Sequence, residues 1–139
     1  ILGELLVEVI FNPFEQLARV QGDPNSWSED VVSIYSKPVL ESGNPKATLS
    51  MMRMVPDGPD HPNALAMRDI EKYVDTLQIP AEIVWGMQDP ILGRGLSAME
   101  AKFPNASVTK TQAGHFLQEE VSTEIANALI RVIDQIEKK

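Results

Sequence analysis

One acid and one histidine have the residue types and the spacing to do chemistry together. Asp89 lies in the stretch WGMQDPILG, and His115 lies 26 residues further on in TQAGHFLQEE. An aspartate that accepts a hydrogen bond from one imidazole nitrogen fixes the tautomer and leaves the other nitrogen free as a base. We therefore expect Asp89 to orient His115 as a general base.

Short strands and helices must position this pair. AEIVWG is an apolar run that ends in glycine, and ASVTKT is rich in β-branched residues, so each predicts a strand. Residues 94–103 predict a helix between them, and a long helix begins at Ser122, which we expect to act as its N-cap. The apolar stripe of that last helix is Ile125, Leu129, Val132, Ile133 and Ile136. Strands joined through a helix run parallel, which brings the loops after them to one end of the sheet.

The first part of the chain has a different character. QGDPNS, ESGNPK and VPDGPDHPN are turn-rich breaks between short apolar segments, which predict a few short helices. Residues 64–77 have apolar side chains at helical spacing, and Pro80 stops that helix. We therefore divide the chain into a helical region, 1–79, and a strand–helix unit, 80–139. The fold class is α/β, helix-rich, with a short parallel sheet of two strands.

Composition excludes several classes of partner. The chain has 139 residues, a net charge of −8 and no cysteine. The negative charge argues against nucleic acid and anionic membranes, and the lack of cysteine excludes disulfides and zinc–thiolate sites. The stretch ILGELLVEVIF lacks the basic start of a signal peptide, so we expect a cytoplasmic protein. Because the chain begins with Ile1, we expect it to be one piece of a longer product or to have lost an upstream part.

Two segments together carry a resemblance to a known family. WGMQDPILG followed by AGHFLQEE resembles the last two catalytic segments of α/β-hydrolases, and most of all those of haloalkane dehalogenases. The segments SIYSKPV, MMRMVPDGPDHP and GELLVEVIFNPFEQ are similar to the cap region of that family. The resemblance covers nearly the whole chain but only the C-terminal half of the family fold.

The resemblance implies roles for named residues. Asp89 matches the triad acid and His115 the histidine base, and no metal or organic cofactor is needed. The substrate would be small, apolar and halogenated: an upstream aspartate displaces the halide to form an ester, and His115 activates the water that hydrolyses it. The positions that match the substrate pocket are Met52, Val55, Ile91, Leu92 and Phe116.

The chain also departs from the family. Neither Gly-x-Asp-x-Gly nor Gly-x-Ser-x-Gly, the settings of the nucleophile, occurs in the sequence. A base without a nucleophile transfers no group, so we expect no activity from the chain alone. Two alternatives stay open: a non-enzymatic, self-associating domain derived from a hydrolase, and an epoxide hydrolase or esterase of the same fold. We expect either a homo-oligomer or a missing N-terminal half.

Other acidic residues and the second histidine receive plainer interpretations. Asp57, Asp60 and His61 fit no standard pattern of metal ligands and predict a solvated loop. Glu119 and Glu120 could be paired carboxylates, but we expect them to lead into the last helix and to solvate its start.

Overall fold

A computed structural model describes residues 14–42 and 46–138. These residues form two compact units: one contains residues 29–77 with residues 14 and 15, and the other joins Gln16–Ser28 to residues 78–138. Most of the stretch GELLVEVIFNPFEQ, predicted to belong to a cap, lies outside the described residues, as does Lys139. No helix in the described part of the chain is long and apolar enough to cross a bilayer.

Among the residues described, the first unit contains three helices: α1 (Glu29–Glu41), α2 (Lys46–Met52) and α3 (Ala64–Asp75). Helix α3 falls where the apolar spacing predicts it and ends before Pro80. Its apolar side chains are nevertheless largely uncovered, since Leu65, Ile70 and Tyr73 are each more than half exposed. Helical spacing thus predicted the helix correctly, although those three side chains are not buried.

The loop between α2 and α3 is organised around His61. The Nε2 atom of His61 lies 3.0 Å from the carbonyl oxygen of Arg53, and Nδ1 accepts from the amide of Asn63 at 3.0 Å. The Asn63 side chain donates to the carbonyl of Met54 at 2.8 Å. Both ring nitrogens of His61 therefore form hydrogen bonds with the backbone of the loop. Among the described residues, no three His, Asp or Glu side chains group closely enough to hold a metal ion.

The second unit carries the sheet. Its strands are β1 (Glu82–Gly86) and β2 (Ser107–Thr111), and its helices are α4 (Leu96–Lys102), α5 (Leu117–Glu120) and α6 (Ser122–Glu137). Two 3-10 turns of this unit lie at Pro24–Ser26 and Gly93–Gly95, and a third, Glu15–Val20, begins one residue before the unit does. The predicted order of strand, helix, strand and helix is confirmed, and α4 is preceded by a 3-10 turn.

The two strands pair in parallel, as predicted. The register runs from Glu82 opposite Ser107 to Gly86 opposite Thr111, so both strands end at the same level. Two further bonds extend the pairing beyond the strand ends: the amide of Met87 donates to Thr111 at 3.0 Å, and that of Gln88 donates to Ala113 at 3.1 Å. The loops that follow the strands are thereby held side by side.

Helix α6 packs against β1 but begins differently from the prediction. Val121, not Ser122, occupies the N-cap position, and no side chain caps the helix. The reason is that α5 ends immediately before it, with the amide of Val121 bonded to the carbonyl of Leu117 at 2.8 Å. Within the apolar stripe, Leu129, Ile133 and Ile136 are more than half exposed, and the buried residue of the helix is Ala128, which lies outside the stripe.

An ion pair joins α6 to the start of β1. Two guanidinium nitrogens of Arg131 lie 2.8 Å and 2.9 Å from Oε2 of Glu82, whose side chain is only 3% exposed. The hydrogen bonds from Arg131 lower the pKa of Glu82 below its ordinary value of 4.5, against burial, which would raise it. The carboxylate therefore stays charged at neutral pH and fixes the helix to the strand.

The segment 16–28 returns to the loop after β2 at very close range. A Cβ atom on Gly114 would overlap the carbonyl oxygen of Val20 and the backbone of Gln21. Both neighbours are backbone, so a side chain could not be accommodated by a rotamer change. Glycine at this position is what allows the two segments to touch.

Replacing Gly114 with alanine should destabilise the second unit by about 3 kcal/mol, because the backbone of one segment must move away from the other. The measurement is urea unfolding followed by the fluorescence of Trp27 and Trp85, both of which lie in that unit. Gly58→Ala is the matched control, since nothing lies within 4 Å of its added Cβ. An equal midpoint for the two variants would contradict the close approach at Gly114.

Candidate active site

Asp89 and His115 meet at the carboxyl ends of the two strands. Nδ1 of His115 lies 3.0 Å from Oδ2 of Asp89, within hydrogen-bonding distance. The Asp89 side chain is 6% exposed and that of His115 is 27% exposed. The in-register strand ends bring the pair together, because each residue follows its strand by only a few positions.

The second carboxylate oxygen of Asp89 is held by the backbone. Oδ1 accepts from the amide of Ile91 at 2.7 Å and from that of Leu92 at 3.0 Å. Burial alone would raise the pKa of Asp89, but the hydrogen bonds from His115, Leu92 and Ile91 outweigh it and hold the pKa below its ordinary value of 3.8. Asp89 is therefore an ionised acceptor with a fixed orientation.

The imidazole of His115 packs against the ring of Phe116. The ring of Phe116 meets it edge-on, with centroids 5.1 Å apart. Phe116 in turn contacts Trp27, with centroids 4.8 Å apart and planes tilted by 41°. Trp27 is 5% exposed, so this contact anchors Phe116 on a buried ring.

The chemistry open to this arrangement is that of an oriented base. When Nδ1 carries the proton donated to Asp89, the lone pair of Nε2 is free to take a proton from water or from a hydroxyl group. Asp89 also stabilises the imidazolium ion that results. The pair is thus equipped to activate water, but it supplies no nucleophilic carboxylate or hydroxyl of its own.

The residues expected to line a substrate pocket lie in different places. Ile91 and Leu92 follow Asp89 directly and are 60% and 55% exposed. Phe116 is half-buried beside His115. Met52 and Val55 belong to the first unit, where they are 58% and 68% exposed. Ile91 and Leu92 thus adjoin the acid through their backbone amides, and Phe116 adjoins the base through its ring.

Two depressions of the second unit lie away from the pair. One, of about 490 Å³, is bordered by residues of the segment 22–26 and of the loop 112–121. The other, of about 340 Å³, lies between β1 and α6 and is largely apolar. Neither is lined by Asp89 or His115.

Two residues near the pair, Gln21 and Trp27, were not singled out in the sequence, and the role expected of a third, Glu120, differs from the one it has in the structure. The side chain of Gln21 accepts from the amide of Phe116 at 2.9 Å and donates to its carbonyl at 3.3 Å. Glu120 was expected to solvate the start of the last helix, but its carboxylate instead accepts from three backbone amides.

The comparisons with known proteins point to one class. The similarity found suggests the α/β-hydrolase superfamily and nothing narrower. No family model matches the chain, and no solved structure matches it significantly.

The matching proteins are haloalkane dehalogenases 1 from Mycobacterium bovis and from two strains of Mycobacterium tuberculosis. The chain is 27% identical to each over 99 residues, which cover 69% of the chain and 33% of the relative. The match thus spans about a third of the length of these relatives.

Proposed function

We propose that this chain supplies the acid and the base of a haloalkane-dehalogenase-like hydrolase. The observation that carries the proposal is the hydrogen bond between Asp89 and His115 at the ends of two parallel strands. The partial similarity to haloalkane dehalogenase 1 supports it. An aspartate from another part of the complete enzyme would displace halide from carbon, and His115 would then activate the water that cleaves the ester.

The proposed substrate is small, apolar and halogenated. Ile91, Leu92 and Phe116 present apolar surface next to the acid and the base, which suits a substrate without charge. The resemblance to the family assigns Met52 and Val55 to substrate-binding positions as well. No metal or organic cofactor is required for this route, because displacement by a carboxylate and hydrolysis by an activated water need only side chains. An epoxide hydrolase or an esterase would use the same pair, and its nucleophile would distinguish it.

A chimera tests the proposal directly. The matching part of this chain would replace the segment that it matches, a third of the length, in haloalkane dehalogenase 1 from M. tuberculosis. In the proposal, the rest of that protein supplies the nucleophile. Halide release from a short bromoalkane is then followed by the accompanying release of protons. We expect repeated turnover. A chimera that folds, as judged by circular dichroism, but releases no halide would contradict the proposal.

A second candidate function is self-association without catalysis. Its support is the apolar surface of α6, where Leu129, Ile133 and Ile136 are more than half exposed. A two-stranded sheet is also marginal unless its faces are covered. We expect light scattering at micromolar concentrations to give a mass of at least twice 15.4 kDa. A monodisperse monomer would exclude this function.

A further inference from the structure

We propose that Glu120 is a positioning residue, which holds the backbone around His115 so that the imidazole reaches Asp89. The inference deepens the proposed function, because it assigns a role to a residue outside the acid–base pair. It is carried by a set of hydrogen bonds that converge on one carboxylate and by the close approach of two chain segments around it.

The carboxylate of Glu120 accepts hydrogen bonds from two segments that are far apart in sequence. Oε1 accepts from the amide of Gly22 at 3.0 Å and from that of Gly114 at 2.9 Å. Oε2 accepts from the amide of Asp23 at 2.8 Å. One side chain therefore ties the turn at 22–23 to the residue immediately before His115.

The turn at 22–26, to which Glu120 binds, is stabilised by hydrogen bonds of its own. Oδ1 of Asp23 accepts from the amide of Asn25 at 2.9 Å, and the hydroxyl of Ser26 donates to the carbonyl of Asp23 at 2.7 Å. The side-chain nitrogen of Gln21 donates to the Ser26 hydroxyl oxygen at 3.2 Å. Because this turn is internally bonded, holding it also gives the histidine loop a rigid support.

Three consecutive amides around His115 each have a distinct acceptor. Gly114 donates to Glu120, His115 donates to the carbonyl of Val20 at 2.8 Å, and Phe116 donates to the side chain of Gln21. Only the first of these acceptors carries a charge. Hydrogen bonds to a charged acceptor are roughly twice as strong as those between neutral groups, so Glu120 is the strongest member of the set.

A carboxylate suits this position better than an amide. It is an acceptor on both oxygens, whereas the glutamine side chain has one oxygen and an NH2 group that would face a backbone amide. The space is also tight, since a Cβ atom on Gly22 would overlap the carbonyl oxygen of Gln112 and lie 2.9 Å from Oε2 of Glu120. The turn at residue 22 therefore has no room to shift towards a different side chain at position 120 and restore the lost hydrogen bonds.

The link to the catalytic pair is geometric. Gly114 precedes His115 directly, so a movement of its amide turns the imidazole relative to Asp89. The pKa of the Asp89 carboxyl is held below its ordinary value partly by the hydrogen bond from His115, which makes it a reporter of that movement. A residue that merely stabilised the fold would not change this titration.

The experiment compares Glu120→Gln, Glu120→Asp and Glu124→Gln in the full chain. Glu124→Gln is the control, because it removes the same charge from the exposed first turn of α6. Amide hydrogen exchange at Gly22, Asp23 and Gly114 and the carboxyl titration of Asp89 are measured by NMR. No substrate is involved, so the result is independent of whether the chimera hydrolyses bromoalkanes.

For Glu120→Gln we expect exchange of the three amides to accelerate roughly tenfold to hundredfold and the pKa of Asp89 to rise towards its ordinary value. Glu120→Asp, which keeps the charge, should recover part of both effects and remains informative if the glutamine variant fails to fold. The control should change neither quantity. Faster exchange with an unchanged Asp89 titration would overturn the inference, as would unchanged exchange.

Discussion

Replacing His115 with alanine in the chimera should stop the reaction after one halide ion per active site. The first step needs only the nucleophilic carboxylate, whereas hydrolysis of the resulting ester needs the base. Steady-state turnover should fall by about a thousandfold or more, since general-base catalysis contributes up to roughly four orders of magnitude. Intact mass spectrometry should then find the chimera heavier by one alkyl group.

The other histidine of the chain offers a matched control for this experiment. His61→Ala removes a ring whose two nitrogens serve the loop between α2 and α3. The chimera with His61→Ala should still release halide over many turnovers, and no alkylated enzyme should accumulate. Sustained turnover by the His115 variant, with no trapped ester, would show that another group is the base. That result would contradict the proposed function.

The second large effect is expected from Asp89→Asn. The asparagine oxygen can still accept from the amides of Ile91 and Leu92, so the loop should keep its shape and the thermal midpoint should change little. Its NH2 group, however, would face Nδ1 of His115. Neutral His115 must then carry its proton on Nε2. Because that nitrogen needs a free lone pair to act as a base, turnover should fall by about ten-thousandfold.

The tautomer can be observed apart from activity. In the unmodified chain, the side-chain nitrogen shifts of His115 should indicate a proton on Nδ1, and in Asp89→Asn a proton on Nε2. Asp134→Asn, on the exposed part of α6, controls for the loss of one negative charge. If the asparagine variant keeps the proton on Nδ1, or keeps its turnover in the chimera, Asp89 does not orient the base.

The sequence predicted those parts of the fold that follow from local pattern. The first strand appears where the short apolar run predicts it, the second where the β-branched run predicts it, and the last helix where the 3.6-residue period predicts it. The meeting of Asp89 and His115 followed from one rule of topology, that parallel strands end at one edge. To apply this rule one needs to know only that the strands are parallel and which residues follow each strand, and a single sequence provides both.

The support around His115 could not be predicted in the same way. Gln21 reaches a residue 95 positions away, and Glu120 binds backbone amides, which every residue except proline possesses. Such contacts have no spacing or residue pattern to reveal them. Ser122 illustrates the opposite case: its residue type suits an N-cap, but the short helix ending just before it placed Val121 there instead.

The return of the segment 16–28 to the loop after β2 also has a consequence for the order of folding. The bond between Gln21 and Phe116 closes a loop of 95 residues, which costs roughly 4 kcal/mol of chain entropy beyond a constant term. The strands β1 and β2 close a much shorter loop and can pair first. We therefore expect the sheet to form early and the support of His115 to be completed among the last steps, after most of the chain has been synthesised.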